Sequence, residues 1–241
     1  MKKRNIFTSQ RYPLILLIIT IVFFGITAIN PPHPMDFFYE HIATVAFLAI
    51  LIVSYRWFKF SNLSYTLIFL FMILHIIGAR TTYAEVPYQE FFLNFGIDIN
   101  GLFGFTRNNY DRLVHFCFGL FLAYPIREIF MRIASTKGIW SFYLPLGEIM
   151  GFSMIYELIE WQFAVIIGGD VSNTYLGSQG DVWDAQQDMA IATIGAIIAL
   201  TITFIIHLIY NRKLREEIRE SLRVKKKQPL GEVALKKMMN G

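Results

Sequence analysis

Six long apolar runs, each closed by a polar break, make up most of this chain. They cover residues 13–29, 41–58, 63–79, 111–131, 140–167 and 184–210. Within each run the apolar residues are continuous rather than alternating, which argues for helices over strands. Several reach the length of about 20 residues that a helix needs to cross a bilayer. A chain in lipid must satisfy its backbone polar groups internally, so spanning segments are helices or closed barrels. The pattern predicts an all-α polytopic membrane bundle of about six transmembrane helices.

The breaks set the expected ends. Asn30-Pro31-Pro32-His33-Pro34 stops the first run, because proline cannot continue a helix. No small-x-small cleavage site follows that run, so it reads as a retained span rather than a signal peptide. Arg56 and Lys59 close the second run, and Pro125 predicts a kink in the fourth. Residues 80–110 form a long loop rich in aromatics, among them Tyr83, Tyr88, Phe91, Phe95 and Phe103. A water-exposed linker would not carry so many, and the loop is expected to lie at the membrane interface. The expected organisation is an N-terminus (1–12), a six-helix domain (13–210) and a basic tail (211–241).

Charge adds orientation. The chain has 241 residues, 55% of them hydrophobic, and a formal charge of +4. Its Lys and Arg gather at the N-terminus, after the second run (Arg56, Lys59), after the fourth (Arg132, Lys137) and in the tail. The loops after the first and fifth runs carry none. The positive-inside rule then puts both termini in the cytoplasm, and the long loop and the stretch 177–184 outside. This placement speaks for membrane orientation and against a nucleic-acid partner. The single Cys117 excludes an intrachain disulfide and a CxxC site.

Candidate chemistry collects on the outer half. Asp181, Asp184 and Asp188 fall on one stripe of a helix, as do Asp111 with His115 and Glu157 with Glu160. His75 lies about one turn inside the third run, followed by Arg80. Carboxylates inside a bilayer need protons, a fixed cation or a metal. The expected site therefore takes His75, His115, Glu160, Asp184 and Asp188 as metal ligands, and Glu157, Glu160 and Asp184 as catalytic groups. Arg80, Asp111 and Asp181 complete its polar lining. Plainer readings stand beside this one. Asp181 and Asp184 suit a helix N-terminus, a lone His often serves as a helix–helix hydrogen-bond donor, and the Glu pair would serve as a protonated structural pair. Glu148, in the inner half, is a candidate partner for Arg127.

Three blocks carry a resemblance. Asp111-x-x-x-His115-Phe116, Tyr156-Glu157-x-x-Glu160-Trp161 and Gly177-Ser178-x-Gly180-Asp181-x-Trp183-Asp184-x-x-x-Asp188-Met189 resemble the signature blocks of the YjdF-type bacterial inner-membrane family. The similarity covers nearly the whole span region and is weaker over the first two helices. A fainter one runs to VanZ-like membrane proteins, through the Asp-x-x-x-His, the Glu160/Gln162 pair and the late Asp. The resemblance implies the bacterial inner membrane and supplies no reaction.

Three functions compete. The first is a metal-dependent enzyme acting on a membrane lipid or lipid-linked substrate at the outer leaflet. Its carboxylates and imidazoles suit Zn²⁺ or Mn²⁺, and its carboxylates alone Mg²⁺. The second is an accessory or structural membrane protein whose polar cluster holds helices together. The third is a proton-coupled transporter, against which stands the lack of an inverted repeat.

Overall fold

The computed structural model describes residues 11–167, 179–225 and 229–240. Their regular structure is helical: α1 (Arg11–Thr27), α2 (Pro34–Ser54), α3 (Asn62–Arg80), α4 (Tyr88–Leu93), α5 (Ile99–Phe103), α6 (Tyr110–Arg132), α7 (Trp140–Ile167), α8 (Asp184–Tyr210), α9 (Leu214–Ser221) and α10 (Leu230–Met239). Five of them, α2, α3, α6, α7 and α8, are long and apolar enough to cross a membrane. The apolar α1 is shorter, at 17 residues. The all-α polytopic bundle expected from the hydropathy pattern is what the chain forms. The Gly177–Ser178 start of the third sequence block lies outside the described residues.

The last two long helices begin and end where the sequence placed them. The second does not. It starts at Pro34, not near residue 41, because a proline in the first turn has no N–H to lose and a backbone angle already set for a helix. That shift carries Asp36 and Glu40 into α2, where they are buried along with His41. Pro125 lies inside a continuous α6, and α7 carries Pro145 in the same way.

The pair α6 and α8 forms the centre, with α3 and α7 packed on it and α1 and α2 on the α3 side. The two central backbones nearly touch. A Cβ on Gly119 would run into the Ala192 carbonyl and lie 2.7 Å from Ala196 N, and one on Gly195 would run into the Phe116 carbonyl and lie 2.9 Å from Leu120 N. Helices in lipid gain no hydrophobic drive toward one another, so close van der Waals contact through small residues is what joins them. Below the crossing, Ile68, Met72, Leu122, Ile149, Leu200 and Leu214 fill one core. Outward-facing Ile18, Val22, Ile50, Ile159 and Ile202 are exposed, as lipid-facing positions are.

The long loop is two short helices, α4 and α5, with Phe91, Phe95, Leu102 and Phe103 exposed. Tyr88 donates to Asn100 Oδ1 at 2.9 Å, and Gln89 to Asp98 at 2.7 Å. Asp98 is held below the usual carboxylate range, chiefly by the Gly101 N–H.

Candidate functional site

At the end of the bundle where α6 and α8 begin, three helices aim ionisable groups at one another. Asp111 and His115 stand one turn apart on α6, with Asp111 Oδ1 3.6 Å from His115 Nε2. The same nitrogen lies 3.5 Å from Glu157 Oε1 on α7. From α8, Asp188 closes the group: one ligand atom each from Asp111, His115 and Asp188 lies within 4.8 Å of the others. Asp188 is 2% exposed, His115 8% and Glu157 9%. Asp188 Oδ1 and Glu157 Oε1 have no hydrogen-bond partner among the described residues. Unmatched carboxylate oxygens in a water-poor site are costly unless a proton, a water or a cation meets them. Two carboxylates and an imidazole at this spacing could hold a metal ion.

The fixed cations of the site come from the long loop and from the start of α6. Arg107, from the loop, pairs with Asp184, and Arg112 lies 3.5 Å from the same oxygen. Arg112 also holds Asp181 at 2.7 Å. Asp181 takes two further bonds, from the Trp183 N–H at 2.9 Å and Gln187 at 3.0 Å. Outside the spans, Asp181 sits below the usual carboxylate range, first because of the Trp183 N–H and then through Arg112 and Gln187. Asp184 thus opens α8 and Asp181 stands just before it, both held by arginines beside the cluster.

Other expected members go elsewhere. Arg80 donates to the Thr27 and Ile29 carbonyls, at the C-terminal end of α1 where a cation is favoured. His75 stands apart from the triad with both ring nitrogens engaged: Nδ1 is 2.5 Å from the Tyr83 hydroxyl and Nε2 2.7 Å from Thr44 Oγ1. Glu160 lies beside the triad, within the field of Asp111, Glu157 and Glu40. Arg127 does not meet Glu148; its guanidinium lies 4.5 Å over the Phe142 ring.

Glu40 and Tyr156 were missing from the expected set. Tyr156 donates to Glu40 Oε2 at 3.5 Å, tying α7 to α2, and its ring packs edge-on against His115 at 5.9 Å between centroids. The signal was there in Asp36 and Glu40, one turn apart and followed by an apolar run. It becomes visible only once α2 is extended back to Pro34.

Fold and site together define a multi-pass helical membrane protein with a buried carboxylate–histidine cluster that could hold a metal. The chain belongs to the family described as "Predicted membrane protein (DUF2238)", which matches residues 12–208. It is 34% identical over 195 residues to the inner membrane protein YjdF of Escherichia coli (strain K12), covering 79% of this chain and 89% of that protein. The resemblance carried by the three sequence blocks is therefore borne out. The relative and the apolar helices support a multi-pass location in the inner membrane. No solved structure matches the chain.

Proposed function

We propose that this protein binds a divalent cation at the outer face of the bacterial inner membrane and acts through it on a lipid or lipid-linked substrate of the outer leaflet. The observation that carries the reading is the Asp111–His115–Asp188 triad, three ligand atoms within 4.8 Å, two of them on buried residues, with Asp188 Oδ1 unpartnered among the described residues. Three protein ligands leave a coordination position open for water or substrate. The mixed nitrogen and oxygen donors favour Zn²⁺ or Mn²⁺ over Mg²⁺. A bound cation would lower the pKa of its water, and Glu157 is placed to take that proton. Glu160 and Asp184 then act on the triad's flanks, Asp184 by holding Arg107 and Arg112 beside it.

Elemental analysis tests this. Wild type loaded with Zn²⁺ or Mn²⁺ is expected to retain about one equivalent. Asp188→Asn and His115→Gln should lose it, while Glu148→Gln, on the inner half, should match wild type. No metal in wild type after loading, or equal metal in all four proteins, overturns the reading. The accessory-protein reading then takes its place. One observation already favours that alternative: Arg107 and Arg112 neutralise Asp184 and Asp181 from within the chain.

The orientation, both termini cytoplasmic, rests on the Lys/Arg asymmetry. A cysteine at exposed Thr106, in the long loop, should react with an impermeant maleimide added to intact spheroplasts. One at exposed Ser135, between α6 and α7, should react only after permeabilisation. The reverse pattern inverts the topology and moves the site to the cytoplasmic face.

A further inference from the structure

At the opposite end of the bundle the tail folds back instead of trailing away. Ser221, the last residue of α9, accepts from Ile139 N through its hydroxyl at 3.1 Å and from Trp140 Nε1 through its carbonyl at 2.8 Å. Gly138 makes the contact close: it has a left-handed φ of 57°, and a Cβ there would stand 2.7 Å from Ser221 Cβ. Between this docked tail and the start of α7 lies a cavity of about 770 Å³. Trp140, Leu144, Leu222 and Val224 form its apolar wall, and Lys137, Lys213, Arg223 and Lys225 its cations.

Three acidic groups, Glu216, Glu217 and Glu220, line the same cavity. Glu220 pairs with Arg223 at 2.7 Å, and Glu217 faces Asn211 at 3.5 Å. Glu216 stands exposed among the cations, without an ion pair among the described residues. Among the described residues none of Lys137, Lys213 and Lys225 has a carboxylate within ion-pair distance. The aromatic Trp140 and Tyr143, both exposed in the first turn of α7, set the level of the cavity at a membrane interface.

We propose that this cavity holds the headgroup of an anionic phospholipid, with its phosphate among Lys137, Lys213 and Lys225 and its chains along Leu144 and Trp140. Charge complementarity favours an anion, and a polar floor joined to an apolar wall favours one that carries acyl chains. Basic residues just beyond a span gather anionic lipid by the same physics. The proposal is independent of the metal site, which lies at the other end of α6 and α8.

Native mass spectrometry of the full chain in detergent, offered phosphatidylglycerol and phosphatidylcholine in equal amounts, tests it. Wild type should retain phosphatidylglycerol in preference. Lys137→Gln/Lys213→Gln/Lys225→Gln should reduce that retention on the order of tenfold or more. Lys236→Gln/Lys237→Gln, an equivalent kind of charge loss away from the cavity, should leave it unchanged. Glu216→Gln should strengthen it, which keeps the test informative if the triple variant fails to fold. Equal retention of the two lipids overturns the proposal, as does equal retention by wild type and the triple variant. So does displacement of the lipid by millimolar inorganic phosphate, which would mark a site for soluble anions.

Discussion

Gly119→Leu should prevent the bundle from reaching its folded state. The cause is steric and lies in the backbone. Any Cβ at residue 119 occupies the space of the Ala192 carbonyl and crowds Ala196 N, and no rotamer change can move those atoms. Overpacking by even a few methylenes costs about 1–3 kcal/mol where side chains can shift, and here the obstacle is another helix. Folding would require α6 and α8 to part, which also separates the helices that carry His115 and Asp188. The expected result is loss of the monodisperse peak on size exclusion in detergent, with Gly195→Leu behaving alike. Gly147→Ala and Gly151→Ala are the controls, since a Cβ at either meets nothing within 4 Å. A Gly119→Leu protein that elutes and melts like wild type would mean the crossing is not the central contact.

The second large effect is electrostatic. Arg107→Leu leaves Asp184 as a nearly buried anion beside Asp111 and Asp188, with Arg112 at 3.5 Å its remaining cation. Removing one partner of a buried pair costs about 3–5 kcal/mol, mainly because the other charge stays behind. Thermal unfolding in detergent should fall accordingly. Adding Asp184→Asn to the same chain should restore most of the loss, since the orphaned charge is then gone. If the double variant is as unstable as Arg107→Leu alone, the cost comes from another contact of Arg107 and the pairing is incidental. Loss of stability in Arg107→Leu alone would not address the metal proposal; the double variant with its metal content measured separates the two.

Span identity was legible because hydropathy reports the solvent around a helix, and lipid leaves no ambiguity over 20 residues. The start of α2 was not, because Asp36 and Glu40 lower the local hydropathy while being buried. Periodicity placed Asp111 with His115 and Glu157 with Glu160 correctly, since spacing along one helix is a property of that helix alone. Partners across helices follow different rules. His75 reads as a free ligand until Tyr83, in a loop residue with φ of 54°, folds back onto its ring. Arg112, next in sequence to Asp111, reaches Asp181 across the gap with its long side chain. No sequence spacing encodes either contact. Arg112 was hidden for that reason, and Arg80, visible in sequence, serves the end of α1.

The close crossing of α6 and α8 divides α6 into arms of unequal length. Gly119 lies four residues below His115, about 6 Å along the axis, while Arg132 lies about 20 Å beyond it on the other side. A tilt of about 10° between the two helices would move His115 by roughly 1 Å and Arg132 by roughly 3.5 Å. The short arm of the lever holds the triad and the long arm reaches the tail and its cavity. In such a tilt a displacement at the tail end would reach the cluster reduced more than threefold, and one at the cluster would be magnified at the far end.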